Sequence, residues 1–300
     1  MKVLFSANNR TSANGLGLLI DLITKRGVDF EPVLITSEHY FVSEDYLVLN
    51  SSDRRVFLKR LQNKNINKTH DPKANQEKGR LGSDCISDRN HNYNRGKKRL
   101  LYFVPHFIVC VCRIFKDLIY ANYLLDDLRP DWVVVSDDRV GGTQLAILKK
   151  AKKNKIPIIM VSVSIQALYK KDGFGPALFD ESLFVTDRLF DINKLQSKQQ
   201  MLQVGNDKRV FFPAYYYFAL RCFDMAPKHP WVSGANISDC VYTYSDEIKN
   251  AIIEENPEKN VVVSGLVEDD YILQTIKNKK RITQSLVDKY ALSQDDKIVI

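Results

Sequence analysis

Apolar and polar residues alternate along the chain in blocks that switch between a period of about two and one of about 3.6. Val3-Leu4-Phe5-Ser6-Ala7 reads as a short buried strand running into the polar turn Asn8-Asn9-Arg10-Thr11-Ser12. Leu16, Leu19, Ile20, Leu22 and Ile23 then recur with helical spacing, and Gly27 follows Lys25-Arg26 where a helix C-terminus is expected. Phe30 to Thr36 predicts the next strand. The alternation resumes beyond residue 100. Leu100 to Leu128 reads as mostly helical with a break or start near Pro105, Asp131 to Ser136 as a strand, Gly142 to Lys155 as a helix, and Ile156 to Val163 as a strand. Residues 165–230 are less regular, with Phe211 to Phe218 as a packed aromatic helix. Cys240 to Tyr244 predicts a strand, Asp246 to Glu255 a helix, Val261 to Gly265 a strand and Thr283 to Tyr290 a polar helix.

Repeated strand–helix–strand units of this kind predict an α/β fold, a Rossmann-like doubly wound parallel sheet with both faces covered. The apolar ending Lys297-Ile298-Val299-Ile300 reads as a strand beginning. The expected organisation is therefore one domain over residues 1–292 and the start of a second Rossmann-like domain at 293–300.

Charge changes the picture in one place. The net charge is +8, yet residues 53–99 alone hold 14 Lys/Arg against 5 Asp/Glu, which leaves the rest of the chain near neutrality. That stretch has little periodic apolar character after Leu61 and predicts a basic, mobile insertion. It suits peripheral contact with an anionic membrane or lipid carrier. Specific nucleic-acid binding is disfavoured, because beyond Leu61 Tyr93 alone interleaves with its charges and stacking platforms need several aromatics. The run Leu100 to Cys112 is too short to span a bilayer, which needs about 20 residues. It reads as a buried helix, with a membrane-surface helix as the alternative. Five irregularly spaced cysteines without a CxxC pair support neither a zinc knuckle nor a disulfide framework. No metal site and no cofactor are expected, and the compartment reads as cytoplasmic, with membrane association through the basic insertion as one option and a solvated linker without a partner as the other.

In open α/β sheets, ligands sit at the carboxyl ends of strands, so the loops there hold the candidate chemistry. In the first, Asn8, Arg10 and Ser12 stand at a helix start, where backbone N–H groups and a guanidinium both favour an anion. The second, Ser136-Asp137-Asp138-Arg139-Val140-Gly141-Gly142, ends a strand in two carboxylates; Asp137 and Asp138 are the candidate catalytic residues, and Arg139 and Gly141 candidate ligand contacts. His229, Trp231 and Gly234 lie in a third loop, and Gly265 follows the last clear strand.

These segments resemble the UDP-N-acetylglucosamine 2-epimerase/GT-B glycosyltransferase superfamily. KVLFSANNRTSA is similar to its first strand and loop, with Arg10 on the arginine of a Gly-Thr-Arg-Pro-Glu type sequence that faces the nucleotide diphosphate. VVVSDDRVGGTQLAILKKAKKNKIPIIMV resembles the segment holding a strand-ending Gly-Asp-Thr, with Asp137 on the aspartate. HPWVSGANISDCVYTYSDEIKNAIIEENPEKNVVVSGLVEDD is similar to the end of the N-terminal domain in surface-polysaccharide members. The chain departs from the pattern where Thr11-Ser12 replace Pro-Glu, Asp138 replaces threonine, and Val161 to Ser164 occupy the place of a His-x-Glu-Ala-Gly signature.

The resemblance implies an acceptor-side domain of a metal-independent enzyme. It would move a sugar, or a polyol phosphate, from a nucleotide-sugar donor to a glycan or lipid-linked acceptor. Asp137 would be base or orienter, Arg10 would stabilise phosphate, and His229 would touch the cleft. A UDP-sugar 2-epimerase, or a non-catalytic carbohydrate-assembly protein of the same fold, is the alternative.

Overall fold

Seven short runs rich in β-branched and aliphatic residues come together as one parallel sheet, the central ones buried on both faces and the outermost leaving residues such as Leu47 and Val262 exposed. The computed structural model describes residues 1–36, 45–50, 98–139, 142–163, 183–185, 192–204, 206–266, 269 and 277–278. The sheet is built from β1 (Lys2–Ala7), β2 (Glu31–Thr36), β3 (Leu47–Asn50), β4 (Trp132–Val135), β5 (Ile158–Val161), β9 (Cys240–Thr243) and β10 (Asn260–Val263). Its order is β10-β9-β5-β4-β1-β2-β3, with every pairing parallel. A second, antiparallel sheet joins β6 (Leu183–Val185), β7 (Met201–Val204) and β8 (Asp207–Val210) in the order β6-β8-β7.

Among the described residues five α-helices flank the large sheet: α1 (Arg10–Lys25), α2 (Lys98–Leu128), α3 (Thr143–Lys153), α4 (Ala214–Cys222) and α5 (Asp246–Glu255). On one face, α1 lays Ala13, Leu16 and Ile20 against Val3, Phe5, Leu34 and Val134. On the other, α2, α3, α4 and α5 share a larger core with Leu4, Val33, Val133, Ile158 and Val241. Burying each such Leu or Ile contributes about 1.5–3 kcal/mol, so this two-faced core carries most of the fold's stability. The doubly wound parallel architecture expected from the sequence is the one observed.

Three elements differ from expectation. Strand β3 extends the sheet beyond β2, and the small antiparallel sheet occupies the stretch that periodicity left irregular. Helix α2 runs without a break through Pro105; the proline forfeits one backbone hydrogen bond, which packing over 31 residues readily offsets. Most of the basic insertion, the helix expected at Thr283 to Tyr290 and the second-domain strand at 293–300 lie outside the described residues. So does Gly141.

Candidate functional site

The strand order reverses between β1 and β4. From β1 the chain moves outward through β2 and β3, then returns to place β4 on β1's other side. Such a switch point opens a crevice at the carboxyl edge, because the loops leaving the two strands turn to opposite faces. The register pairs Ser6 with Val135, so the Asn8–Arg10 loop and the Ser136–Arg139 loop leave the same edge from neighbouring strands.

The first loop forms a helix cap. Asn9 is the N-cap, its Oδ1 accepting from Ser12 N at 2.8 Å, and Ser12 Oγ donates to Asn8 Oδ1 at 3.1 Å. Asn8 and Ser12 thus hold each other, and Ser12 is buried. Arg10 opens the helix, is exposed, and has no acidic residue beside it in the first turn. It is the residue of this loop able to meet an incoming anion.

The second loop is tied down differently. Asp137 accepts from Arg139 N at 2.8 Å, from Arg139 Nη2 at 2.7 Å and Nε at 3.0 Å, and from Ser233 Oγ at 3.0 Å. Burial would raise its pKa, but the Arg139 charge and these hydrogen bonds outweigh burial and hold the carboxyl below its ordinary value. A carboxylate so held is a weak base, so the geometry favours Asp137 as an acceptor that orients a group over one that takes a proton. Arg139 is itself buried, lies 5.6 Å from the Phe211 ring centroid, and reaches the Pro230 carbonyl at 3.5 Å. Its guanidinium is spent on the protein, which argues against the ligand contact expected of it.

Asp138 requires a correction. It is fully buried, and its oxygens accept from Gly234 N (2.8 Å), Asn236 N (3.1 Å) and Ser238 Oγ (3.0 Å). A side chain enclosed this way cannot reach a substrate; it fastens the 234–238 loop to the end of β4. Gly234 is part of that fastening. Its φ of 91° lies in the left-handed region, and a Cβ there would come within 3.0 Å of Val241, so it is a structural glycine.

The cleft contact expected of His229 is also disfavoured. Its Nδ1 lies 2.9 Å from Glu255 Oε2, the last residue of α5. The His229 ring is thus engaged by a protein carboxylate at the end of α5. Trp231 packs edge-on against Phe211, ring centroids 5.4 Å apart. Gly265 leaves β10 at the carboxyl edge, but three strands separate β10 from β1, a span of about 19 Å at ordinary strand spacing.

Several participants escaped the sequence reading. Ser233 supports Asp137, and Asn236 and Ser238 support Asp138, from nearly 100 residues away. Gly142 N donates to Tyr216 Oη (3.1 Å) and Thr143 Oγ1 donates to the buried Asp117 (3.0 Å). The start of α3 is thereby occupied by protein groups, whereas the start of α1 presents Arg10. Asp117, one acid in a long apolar helical stretch, was the readable signal among these. Among the described residues, no group of three or more His, Cys, Asp or Glu is placed to hold a metal ion.

No protein-family model matches this chain, and no curated protein does. Among solved structures, it is similar to the UDP-GlcNAc 2-epimerase from Methanocaldococcus jannaschii, at 17% identity and a TM-score of 0.41 over 99% of this chain and 54% of that one. It is also similar to the UDP-GlcNAc 2-epimerase from Neisseria meningitidis bound to UDP-GlcNAc, at 13% identity and a TM-score of 0.38 over 98% of this chain and 54% of that one. The chain spans about half the length of these two proteins. Likeness of this degree carries no argument about what the chain binds.

Proposed function

We propose that this chain is the acceptor-side half of a GT-B-type enzyme that moves a sugar or polyol phosphate from a nucleotide-activated donor in polysaccharide assembly. One observation carries the reading: an exposed arginine stands at a helix N-terminus on the sheet edge where the strand order reverses, with a fixed carboxylate on the loop leaving the adjoining strand. Phosphate charge is favoured there by the guanidinium and by the helix dipole together. Asp137, held ionised by Arg139, can accept a hydroxyl proton in a hydrogen bond and so orient a sugar or acceptor. Leaving-group stabilisation by fixed cations and dipoles is the chemistry such an arrangement can supply. A cytoplasmic location goes with this reading, since nucleotide sugars are water-soluble anions. The 2-epimerase alternative is favoured less, because a carboxylate locked to arginine is a poor proton carrier.

Titrating the chain with UDP tests the site. Binding is expected, and Arg10→Ala should weaken it about tenfold, the cost of one charge-assisted hydrogen bond. UDP binding that Arg10→Ala leaves unchanged, or no binding at all, overturns the proposal. With an active protein, interconversion of a nucleotide sugar in the absence of any acceptor would favour the epimerase.

A further inference from the structure

Helix α2 is apolar on opposite faces, and the rest of the described protein covers one of them. Cys110, Ile114, Ala121, Leu124 and Leu125 are buried against the core. Val104, Ile108, Phe115 and Ile119 face outward and are 54%, 54%, 55% and 42% exposed. At about 100° per residue these four fall within about 60° of arc, one continuous stripe about 22 Å long. The buried-helix reading of Leu100 to Cys112 therefore holds for one side of the helix alone. Beside the stripe lies an apolar groove of about 590 Å³, where Phe103 and Phe107 of α2 meet Leu195 and Phe218, with Arg221 at its rim. Leu195 is 69% exposed.

The charges around the first half of this surface are basic, and exposed acids enter α2 only beyond Ile119, where Asp126 and Asp127 follow on the same helix. The stretch from Lys98 to Lys116, residues 192–200 and helix α4 contain no Asp or Glu, and together hold Lys98, Arg99, Arg113, Lys116, Lys194, Lys198 and Arg221. Apolar surface of this extent marks a contact site, and a surround in which seven cations outnumber the exposed Asp126, Asp127 and Asp224 selects an anionic partner. Among the described residues no helix is long and apolar enough to cross a membrane. A helix with a wide apolar stripe and cationic flanks instead lies in the plane of a bilayer interface.

We propose that the outward face of α2 docks on the surface of an anionic lipid bilayer, with Val104, Ile108, Phe115 and Ile119 entering the headgroup–acyl boundary. This inference stands apart from the diphosphate site and needs none of residues 53–97. The test is co-sedimentation of the full chain with vesicles of phosphatidylcholine, with and without about one-third phosphatidylglycerol. Binding to the anionic vesicles alone is expected, and the double variant Ile108→Glu/Phe115→Glu should weaken it about tenfold or more. Both positions are already exposed, so its circular dichroism and melting should match the parent. Three results would overturn the proposal. These are absence of binding to anionic vesicles, equal binding by the double variant, and a parent dimer in light scattering that the double variant splits, which assigns the stripe to a second copy.

Discussion

Two neighbouring aspartates show how little residue type says about role. Asp137 and Asp138 follow the same strand, yet one stands at the crevice, locked to an arginine, and the other is sealed beneath a loop from 96 residues or more downstream. The Asp137–Arg139 pair has side chains only 15% and 10% exposed, so screening by solvent is weak. Removing one partner of such a pair strands the other charge, and Asp137→Asn should destabilise the fold by about 3 kcal/mol in urea titrations at neutral pH. The pH dependence has a definite direction. Because the folded-state pKa lies below the ordinary 3.8, the pair's contribution is complete above that value and is lost as pH falls through the lowered one. Asp137→Asn should therefore flatten the acid limb of the stability profile below pH 3.8. An unchanged acid limb would show that the pair contributes nothing there.

At the scale of elements, helix α1 sits close to the sheet because Gly15 leaves out a side chain. A Cβ at that position would fall 2.5 Å from Val163 Cβ and 3.2 Å from its carbonyl oxygen, so helix or strand end would have to shift. Gly15→Ala should cost about 1–3 kcal/mol despite alanine's better helix propensity, read as a lowered melting temperature. A gain in stability would mean that the helix can lift without loss. This glycine stands in the sequence as a plain feature of the first turn-and-helix segment, where its packing partner 148 residues away is invisible. The same reasoning separates what was legible from what was not. Strands such as Val3–Ala7 and Trp132–Val135, and helices such as Asp246–Glu255 with its Ser245 cap, carry their own period and stop signals. The β7–β8 hairpin did carry one, the Gly205-Asn206 pair between Val204 and Asp207, but its strands are too short and too polar to stand out. Helix α2 hid its exposed stripe because apolar residues surround it, and periodicity does not say which side meets a neighbour.

Across the whole molecule, the crevice is a product of topology. Arg10 and Asp137 are 127 positions apart, and the loops that carry them leave neighbouring strands because β4 pairs with β1, an adjacency that could be argued in advance only from the expected strand order. Asp138, His229 and Gly234 followed no such rule; their burial depends on how the long 223–239 connection folds over the sheet. The same topology predicts a gradient of protection. In native-state hydrogen exchange, amides of β1, β4 and β5, each paired on both sides, should exchange at least tenfold more slowly than those of β3 and β10, the outermost strands among the described residues. Equal rates across the sheet would mean that it opens only as a unit.

Placing β1 in the middle, with its two partners made at different times, also shapes how the protein comes into being. As the polypeptide leaves the ribosome, β1 and β2 can associate early, but the other flank of β1 waits for residues 132–135, with the basic stretch emerging in between. Throughout that interval a bare row of amides and carbonyls beside Leu4 and Phe5 is open to any other strand. Self-association should therefore be greatest for arrested nascent chains that stop short of β4, and should subside once it has been made.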